Sequence, residues 1–191
     1  AYHHGEQALV QTIIGMAQNF VGTNNIYFLK PNGAFGTRAT GGKDAAAARY
    51  IYTELNKIAR KVFHPADDPL FRYVQEDEKT VEPEWYLPVV PMVLINGAEG
   101  IGTGWSTSIP PFNPLDVVNN IRHLLNDEEM DDMHPWFRGW TGTMEKIESQ
   151  RYRMYGRIEQ VGPNTLEITE LPARTWTSTI KEHLLLGLGG R

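Results

Sequence analysis

Apolar side chains of helical period between Glu6 and Val21 constrain the fold of this chain more than any other feature. They recur at steps of three and four residues, which places them on one face of a helix. They are Leu9, Val10, Ile13, Ile14, Ala17 and Val21. The pattern therefore predicts an amphipathic helix over 6–21. His3 and His4 stand just before its start, where unpaired backbone N–H groups favour an anion.

A short strand over 26–29 and a polar, basic loop are predicted after this helix. The segment 31–44 is rich in glycine and carries Arg38 and Lys43, so it favours a loop and makes both side chains candidate phosphate contacts. Around Tyr50 the preference is divided, because the alanines before it favour a helix whereas the residues after it favour extended structure. The conformation at Tyr50 therefore stays open between strand and helix start.

A second helical stripe follows, with Thr53 as its candidate cap and Pro65 as its end. Its apolar members are Leu55, Ile58, Ala59, Val62 and Phe63. Helix, turn, short strands and helix within about 65 residues are typical of a winged-helix module. Residues 64–88 are acidic and interrupted by proline, which indicates a surface connection.

The middle of the chain predicts a buried strand and another helix. The apolar run 89–95 is short and bounded by proline and asparagine, which favours a strand. Asn113 should cap a helix that has Pro114 at its first position. Its inner face is expected at Leu115, Val118, Ile121, Leu124 and Leu125.

The last quarter predicts a hairpin and a final helix. Strands over 152–160 and 165–171 are expected to pair, because residues 162–164 between them favour a turn. The last helix should begin at 178–179, with Glu182 placed to complete a capping box.

Composition and charge exclude several classes of protein. The longest apolar runs are far shorter than the roughly 20 residues that a membrane-spanning helix needs. The absence of cysteine excludes disulfides and thiolate metal sites. The net charge of −5 argues against a simple DNA-binding protein. However, residues 1–63 carry seven Lys and Arg against three Asp and Glu, whereas residues 64–191 carry eleven against twenty. Any polyanion should therefore bind the first third.

The segment 41–50 is the strongest candidate for chemistry. Its glycines and alanines allow a large partner to approach the main chain, and it ends in Arg49 and Tyr50. A phenol with a pKa of about 10 is a weak nucleophile at neutral pH. An adjacent guanidinium lowers that pKa and stabilises charge on a phosphoryl group. The alternative is that Arg49 is solvated and Tyr50 is a half-buried strand residue.

Two other patterns suggest sites that the sequence does not complete. The histidine pair at 3–4 lacks the H-E-x-x-H spacing and a third ligand nearby, so a zinc site is not predicted. The glycine run 97–104 lacks the lysine of a phosphate-binding loop and the strand–helix order of a dinucleotide fold, so neither ATP nor NAD is expected there. On the residues alone, Ile101 in this run is a candidate buried sheet residue.

Several motifs in the same order resemble eukaryotic type II DNA topoisomerases, fungal members in particular. Segment 41–50, with 35–38 before it and 51–53 after it, resembles the cleavage centre of that family. The other matching segments are Tyr2–Glu6, Ala17–Gly22, Glu82–Tyr86, Ile95–Ser106 and Leu171–Trp176. The resemblance covers essentially the whole chain.

This resemblance implies a role for individual residues. Tyr50 is expected to attack the scissile phosphate and remain on the 5′ end of the broken strand, with Arg49 bound to that phosphate. His4 corresponds to the active-site histidine of the family, and His3 is its neighbour. Ile101 corresponds to the apolar residue that this family inserts between base pairs, which holds the duplex bent.

The resemblance also implies an α+β fold and a larger enzyme. We expect a winged-helix domain with the catalytic tyrosine over 1–96, then the first part of an α/β tower domain over 97–191. The full protein would be a nuclear homodimer that cuts, passes and reseals double-stranded DNA. The Mg²⁺ and ATP that it uses would be bound by domains absent from this chain, which should hold no metal and be inactive alone.

Two alternatives remain open on the sequence. One is a non-catalytic winged-helix module that binds DNA, in which Tyr50 only packs or touches the backbone. The other is a structural module that uses the acidic residues of 64–191 to bind a protein partner.

Overall fold

Helices and two-stranded hairpins alternate along the chain in the computed structural model, which describes residues 2–189. The helices are α1 (Glu6–Ala17), α2 (Ala59–Val62), α3 (Met92–Ile95), α4 (Pro114–Leu125) and α5 (Thr177–Gly189). The strands are β1 (Tyr73–Glu76), β2 (Lys79–Pro83), β3 (Ala98–Gly102), β4 (Trp105–Ile109), β5 (Thr143–Glu148), β6 (Arg151–Tyr155), β7 (Arg157–Gly162) and β8 (Thr165–Glu170). The strands form four separate two-stranded antiparallel sheets, β1–β2, β3–β4, β5–β6 and β7–β8. The mixed content agrees with α+β, while the winged-helix and tower subdivision stays a prediction.

Helix α1 supplies the core that supports the first third of the chain. Ile14 and Ala17 on its inner face are buried against Phe35, and Leu29 and Ile51 pack on this cluster. The predicted helix is confirmed, but it ends at Ala17 rather than Val21 because Gln18 is extended (ψ 134°). The side-chain amide of the following Asn24 donates to two carbonyls of this end, Gly15 O (2.7 Å) and Gln18 O (3.0 Å).

The predictions for 26–29 and for the second helix are wrong. Residues 28–32 and 52–56 form an irregular antiparallel ribbon with isolated bridges, of which Asn32 to Tyr52 is one. This pairing uses the first residues of the predicted helix, so only the single turn α2 remains helical. The hydroxyl of Thr53 donates to Lys30 O (2.9 Å) instead of capping a helix.

The buried strand predicted over 89–95 is also wrong. Helix α3 begins after Pro91, and Asn96 N closes its turn by donating to Met92 O (2.9 Å). Ile95 at its end is fully buried. A short apolar run fits a buried helical turn as well as a strand, and nothing in the run distinguishes them.

Helix α4 begins as predicted, although its buried face differs. The Asn113 side chain accepts from Leu115 N (3.0 Å). Leu115, Leu124 and Leu125 are exposed, whereas Val117 and Asn120 are buried. Asn120 is buried because its side-chain amide bonds both backbone groups of Asp131 (2.8 and 2.9 Å).

The hairpin predicted near the end of the chain is confirmed as β7 and β8. The first predicted strand is divided at Gly156, where a Cβ would lie 2.2 Å from Glu170 O. Helix α5 begins at Thr177, so Thr179 and Glu182 lie inside it and the capping box is wrong. None of the helices among residues 2–189 is long and apolar enough to cross a membrane.

Asn25 joins segments from both halves of the chain. Its buried side-chain amide donates to Ile95 O (2.9 Å), Trp136 O (3.0 Å) and Phe112 O (3.3 Å), and its Oδ1 accepts from Arg138 N (2.9 Å). These four bonds satisfy three backbone carbonyls and one backbone N–H, and the bond to the Ile95 carbonyl is fully buried. The domain boundary near residue 96 stays a prediction.

Candidate functional site

Tyr50 lies on the surface at the end of a single 3-10 turn, Ala48–Tyr50. Its side chain is 67% exposed, and the Arg49 guanidinium carbon lies 4.9 Å from the centre of its ring. This distance is within the range of a cation–π contact. The alternative of a half-buried strand tyrosine is therefore wrong, and the phenol is accessible with a cation beside it.

The residue after Tyr50 fixes the position of the turn. Ile51 is extended (φ −126°, ψ 155°) and packs on the α1 core. Successive side chains of an extended segment point in opposite directions, so the packing of the partly buried Ile51 on the core directs the next residue outward. Tyr52 is accordingly 76% exposed, and its backbone is paired with Asn32.

A glycine-rich loop, residues 36–44, precedes the turn and is tightly packed. Gly41 has φ 67°, and a Cβ there would lie 2.4 Å from the Trp176 ring. The Asp44 carboxylate accepts from the Thr37 hydroxyl (2.7 Å) and backbone N (2.8 Å) and from the Thr40 hydroxyl (2.6 Å). These bonds, chiefly from the Thr37 hydroxyl, lower the pKa of Asp44 to about 2. The Asp44 carboxylate therefore stabilises the conformation of the loop. Lys43, the residue immediately before Asp44, is exposed.

Arg38 lies on the same loop and pairs with the end of β8. Its Nη2 lies 2.5 Å from Glu170 Oε1 and donates to Leu171 O (3.1 Å). Burial by itself would raise the pKa of Glu170, but bonds from Arg38 and Thr141 outweigh burial and lower that pKa to about 2. Arg38 thus has a structural role that needs no DNA, and its phosphate contact stays a prediction.

The two N-terminal histidines are exposed and have different neighbours. His3 Nε2 lies 2.8 Å from Glu76 Oε1 on β1. The His4 ring makes an edge contact with Tyr2 at 5.5 Å between centroids. Within residues 2–189 the structure thus brings Arg49 to Tyr50, whereas the ring contact of His4 is with Tyr2.

Ile101 and Trp105 project from the β3–β4 hairpin. They are 95% and 85% exposed, and the turn between the strands consists of Thr103 and Gly104 (φ 78°). The alternative that Ile101 is buried in a sheet is therefore wrong. Both side chains are therefore free to contact a partner of the hairpin.

Within residues 2–189, no three His, Cys, Asp or Glu side chains are grouped so that they could hold a metal ion. The chain contains no cysteine.

Comparison with known proteins places the chain in a family. A family model that describes the A subunits of DNA gyrase/topoisomerase IV matches residues 1–188. The chain belongs to this DNA gyrase/topoisomerase IV family. It is 82% identical over 190 residues to DNA topoisomerase 2 of Saccharomyces cerevisiae, covering 100% of this chain and 13% of that protein. It is 66% identical to DNA topoisomerase 2 of Candida albicans, covering 98% of this chain and 13% of that protein.

A solved structure agrees with this membership of the topoisomerase family. The Plasmodium falciparum topoisomerase II DNA-binding, cleavage and re-ligation domain is 49% identical with a TM-score of 0.93, over 98% of this chain and 26% of that chain. The likeness to fungal type II topoisomerases expected from the motifs is thus confirmed. The chain spans only about an eighth of the length of the curated relatives.

Sequence reasoning missed several residues that hold this topoisomerase chain together. Glu170, Thr141 and Trp140 link β8 to the segment before β5: Glu170 Oε2 accepts from Thr141 N (3.0 Å), and Trp140 Nε1 donates to Leu171 O (2.9 Å). A glutamate on an alternating strand has no local signal that it will be buried. Trp105 was also overlooked as a candidate, although its position directly after the glycine run 97–104 was visible in the sequence.

Proposed function

We propose that this chain is part of the DNA gate of an ATP-dependent type II DNA topoisomerase, which cleaves both strands of a duplex transiently, passes another duplex through and reseals the break. The relatives named DNA topoisomerase 2 and the solved DNA-binding, cleavage and re-ligation domain support this proposal. The observation that carries it is the exposed Tyr50 phenol with the Arg49 guanidinium 4.9 Å from its ring centre.

The proposed reaction is an exchange of oxygen atoms on phosphorus. The Tyr50 phenolic oxygen forms a bond to the scissile phosphorus, and the bond from phosphorus to the 3′ oxygen of the neighbouring sugar breaks. The phenol loses its proton, and the 3′ oxygen gains one. The resulting 5′-phosphotyrosyl ester keeps the bond energy, so attack by the 3′ hydroxyl reverses the step and reseals the strand.

Arg49 suits two parts of this step. Its positive charge stabilises the charge that develops on the phosphoryl group, and its planar N–H groups match the geometry of phosphate oxygens. Because the Ala48–Tyr50 turn is short and Ile51 is fixed in the core, both side chains are presented from one rigid position.

The remaining site residues have supporting roles in this proposal. His4 helps to hold the scissile phosphate, and His3 and Lys43 contact the DNA backbone nearby. Ile101 enters a base step and keeps the duplex bent, as apolar wedges do. Arg38 is included only as a weaker candidate because Glu170 already binds its guanidinium.

The intact protein is proposed to be a nuclear homodimer acting on double-stranded DNA. Mg²⁺ and ATP would be bound by parts of that protein other than this chain, and the fragment would be inactive alone. The winged-helix and tower division at about residue 96 belongs to the same proposal.

The decisive experiment replaces Tyr50 with phenylalanine in the intact topoisomerase. Tyr50→Phe removes the attacking oxygen and should lower recovery of the covalent protein–DNA adduct by at least about a thousandfold, with DNA affinity retained. Tyr52→Phe is the matched control, since Tyr52 is also exposed and only two residues away, and it should leave adduct formation intact.

Persistence of the adduct in Tyr50→Phe would refute the proposed nucleophile. If neither variant nor the wild-type protein formed an adduct, while binding of duplex DNA still weakened steeply with salt, the non-catalytic winged-helix module would be the better description.

A further inference from the structure

The β3–β4 hairpin presents two different apolar side chains on its two faces. In its register Ile101 is opposite Ser106, whereas Gly102 is opposite Trp105. Cross-strand partners share a face and successive residues alternate. One face therefore carries Ile101 with Ser106, and the other carries Trp105 beside Gly102. The wedge role of Ile101 leaves the exposed indole of Trp105 unexplained.

The glycines on the Trp105 face are not required by the fold. A Cβ added at Gly100 would meet nothing within 4 Å, and one at Gly102 would meet only Trp105 O at an ordinary 3.8 Å. Neither residue has the positive φ that favours glycine, unlike Gly104. Glycine inside a strand that its own protein does not need often marks the close approach of a partner. The face that carries the large Trp105 indole consequently has no side chains at positions 100 and 102.

The charge of the hairpin is compatible with a polyanion. Its only charged side chain, Glu99, is paired with Arg174 at 2.6 Å. The rest of β4 carries the hydroxyls of Ser106, Thr107 and Ser108, which can donate to phosphate or base-edge oxygens. The tip therefore presents no unpaired negative charge that would repel DNA.

We propose that Trp105 is a second DNA contact of the same hairpin, and this inference rests on the proposed function. Its indole packs against the deoxyribose wall of the minor groove beside the base step that Ile101 opens. The missing side chains at Gly100 and Gly102 let the DNA backbone approach that face. Ile101 opens the step, and Trp105 holds the hairpin at a fixed depth, which makes it a positioning residue for cleavage.

The test measures DNA affinity, DNA bending by fluorescence transfer, and cleavage in the intact topoisomerase. Trp105→Ala should lower affinity and the bent fraction about tenfold, with an unchanged slope of affinity against salt because no phosphate charge is contacted. Trp105→Phe should recover most of both. Trp85→Ala, which removes another exposed indole, should change neither.

Gly100→Ala separates a DNA contact from a folding defect. The added methyl group fits the protein without a clash, so thermal stability should be unchanged while bending and cleavage decrease. Gly162→Ala is the control, because a Cβ there meets Thr165 at an ordinary 3.5 Å on a hairpin to which we assign no DNA contact.

Wild-type bending and cleavage in both Trp105→Ala and Gly100→Ala would overturn the inference. If Tyr50→Phe still abolished the adduct in that case, the proposed function would stand without the second contact. If Tyr50→Phe retained the adduct, the proposed function itself would fail, and the two results are therefore distinguishable.

Discussion

At Tyr50, two opposed local preferences meet within three residues. The alanines before it favour helical backbone, and the aromatic and β-branched residues after it favour extended backbone. The structure satisfies both preferences, because a 3-10 turn ends at Tyr50 and Ile51 is extended. The sequence pointed to Arg49 and Tyr50 as the proposed reactive pair but could not decide this geometry. The decision comes from the contact of Ile51 with the α1 core, which no local pattern encodes.

Arg49 should matter more for the rate of cleavage than for binding. Arg49→Ala should slow single-turnover cleavage about a hundredfold, because it removes charge stabilisation at the reacting phosphate, and weaken DNA binding less than about tenfold. Arg49→Lys should be intermediate, since lysine keeps the charge but not the planar fork. Lys57→Ala, on the basic segment nearby, is the matched control and should preserve the cleavage rate. Equal losses of rate and affinity in Arg49→Ala would reduce Arg49 to a binding contact.

Among the elements, those specified by local chemistry were predictable and those specified by distant contacts were not. The cap at Asn113 with Pro114 and the turn between β7 and β8 were both identified, because the residues themselves supply the bonds or the backbone freedom. The second helix was overpredicted because Leu29 pairs with Leu55 in its expected first turn, continuing the ribbon in which Asn32 pairs with Tyr52. The apolar run 89–95 was predicted as a strand but contains a helical turn. Burial is compatible with either structure, so the apolar pattern does not decide between them.

The Arg38–Glu170 pair connects the glycine-rich loop to β8, so its loss should destabilise the fold. The Glu170 side chain is only 5% exposed and that of Arg38 is 26% exposed. Glu170→Gln should therefore reduce the free energy of unfolding by about 3 kcal/mol, because Arg38 is left half-buried without its counter-charge. Asp68→Asn breaks the exposed Arg60–Asp68 pair and should cost less than about 1 kcal/mol. Urea denaturation measures both, and equal effects would contradict the assigned burial of the pair.

The same pair predicts how stability depends on pH. The pKa of Glu170 is lowered from 4.5 to about 2 by folding, so its ionised form stabilises the protein fully above the unfolded pKa, and this contribution is lost as the pH falls toward 2. The stability difference between wild type and Glu170→Gln should therefore be constant near neutral pH and shrink below about pH 4.5. A difference that grew on acidification would show the wrong sign and refute this linkage.

Contacts between the two halves of the chain help to hold the whole molecule together, and Asn25 makes three of them, to Phe112, Trp136 and Arg138, besides its bond to Ile95 O. Asn25→Ala would leave three carbonyls and one N–H without this partner, and we expect it to cost about 3 kcal/mol or more. Asn24→Ala is the matched control, because it removes two bonds from a less buried position and should cost about 1 kcal/mol. Thermal and urea unfolding provide the comparison, and similar losses in both variants would argue that Asn25 is not the central junction.

The burial of Ile51 directly after Tyr50 has a consequence for how this region can evolve. Inserting or deleting one residue between Phe35 and Ile51 would uncouple the packing of Ile51 on the α1 core from the exposure of Tyr50. The fold could then be kept only if the Tyr50 phenol turned away from solvent. The fold can tolerate single substitutions at exposed loop positions such as Lys43, whereas changes in the length of the loop would disrupt it. The number of residues between Phe35 and Ile51 should therefore stay constant even where individual residues differ.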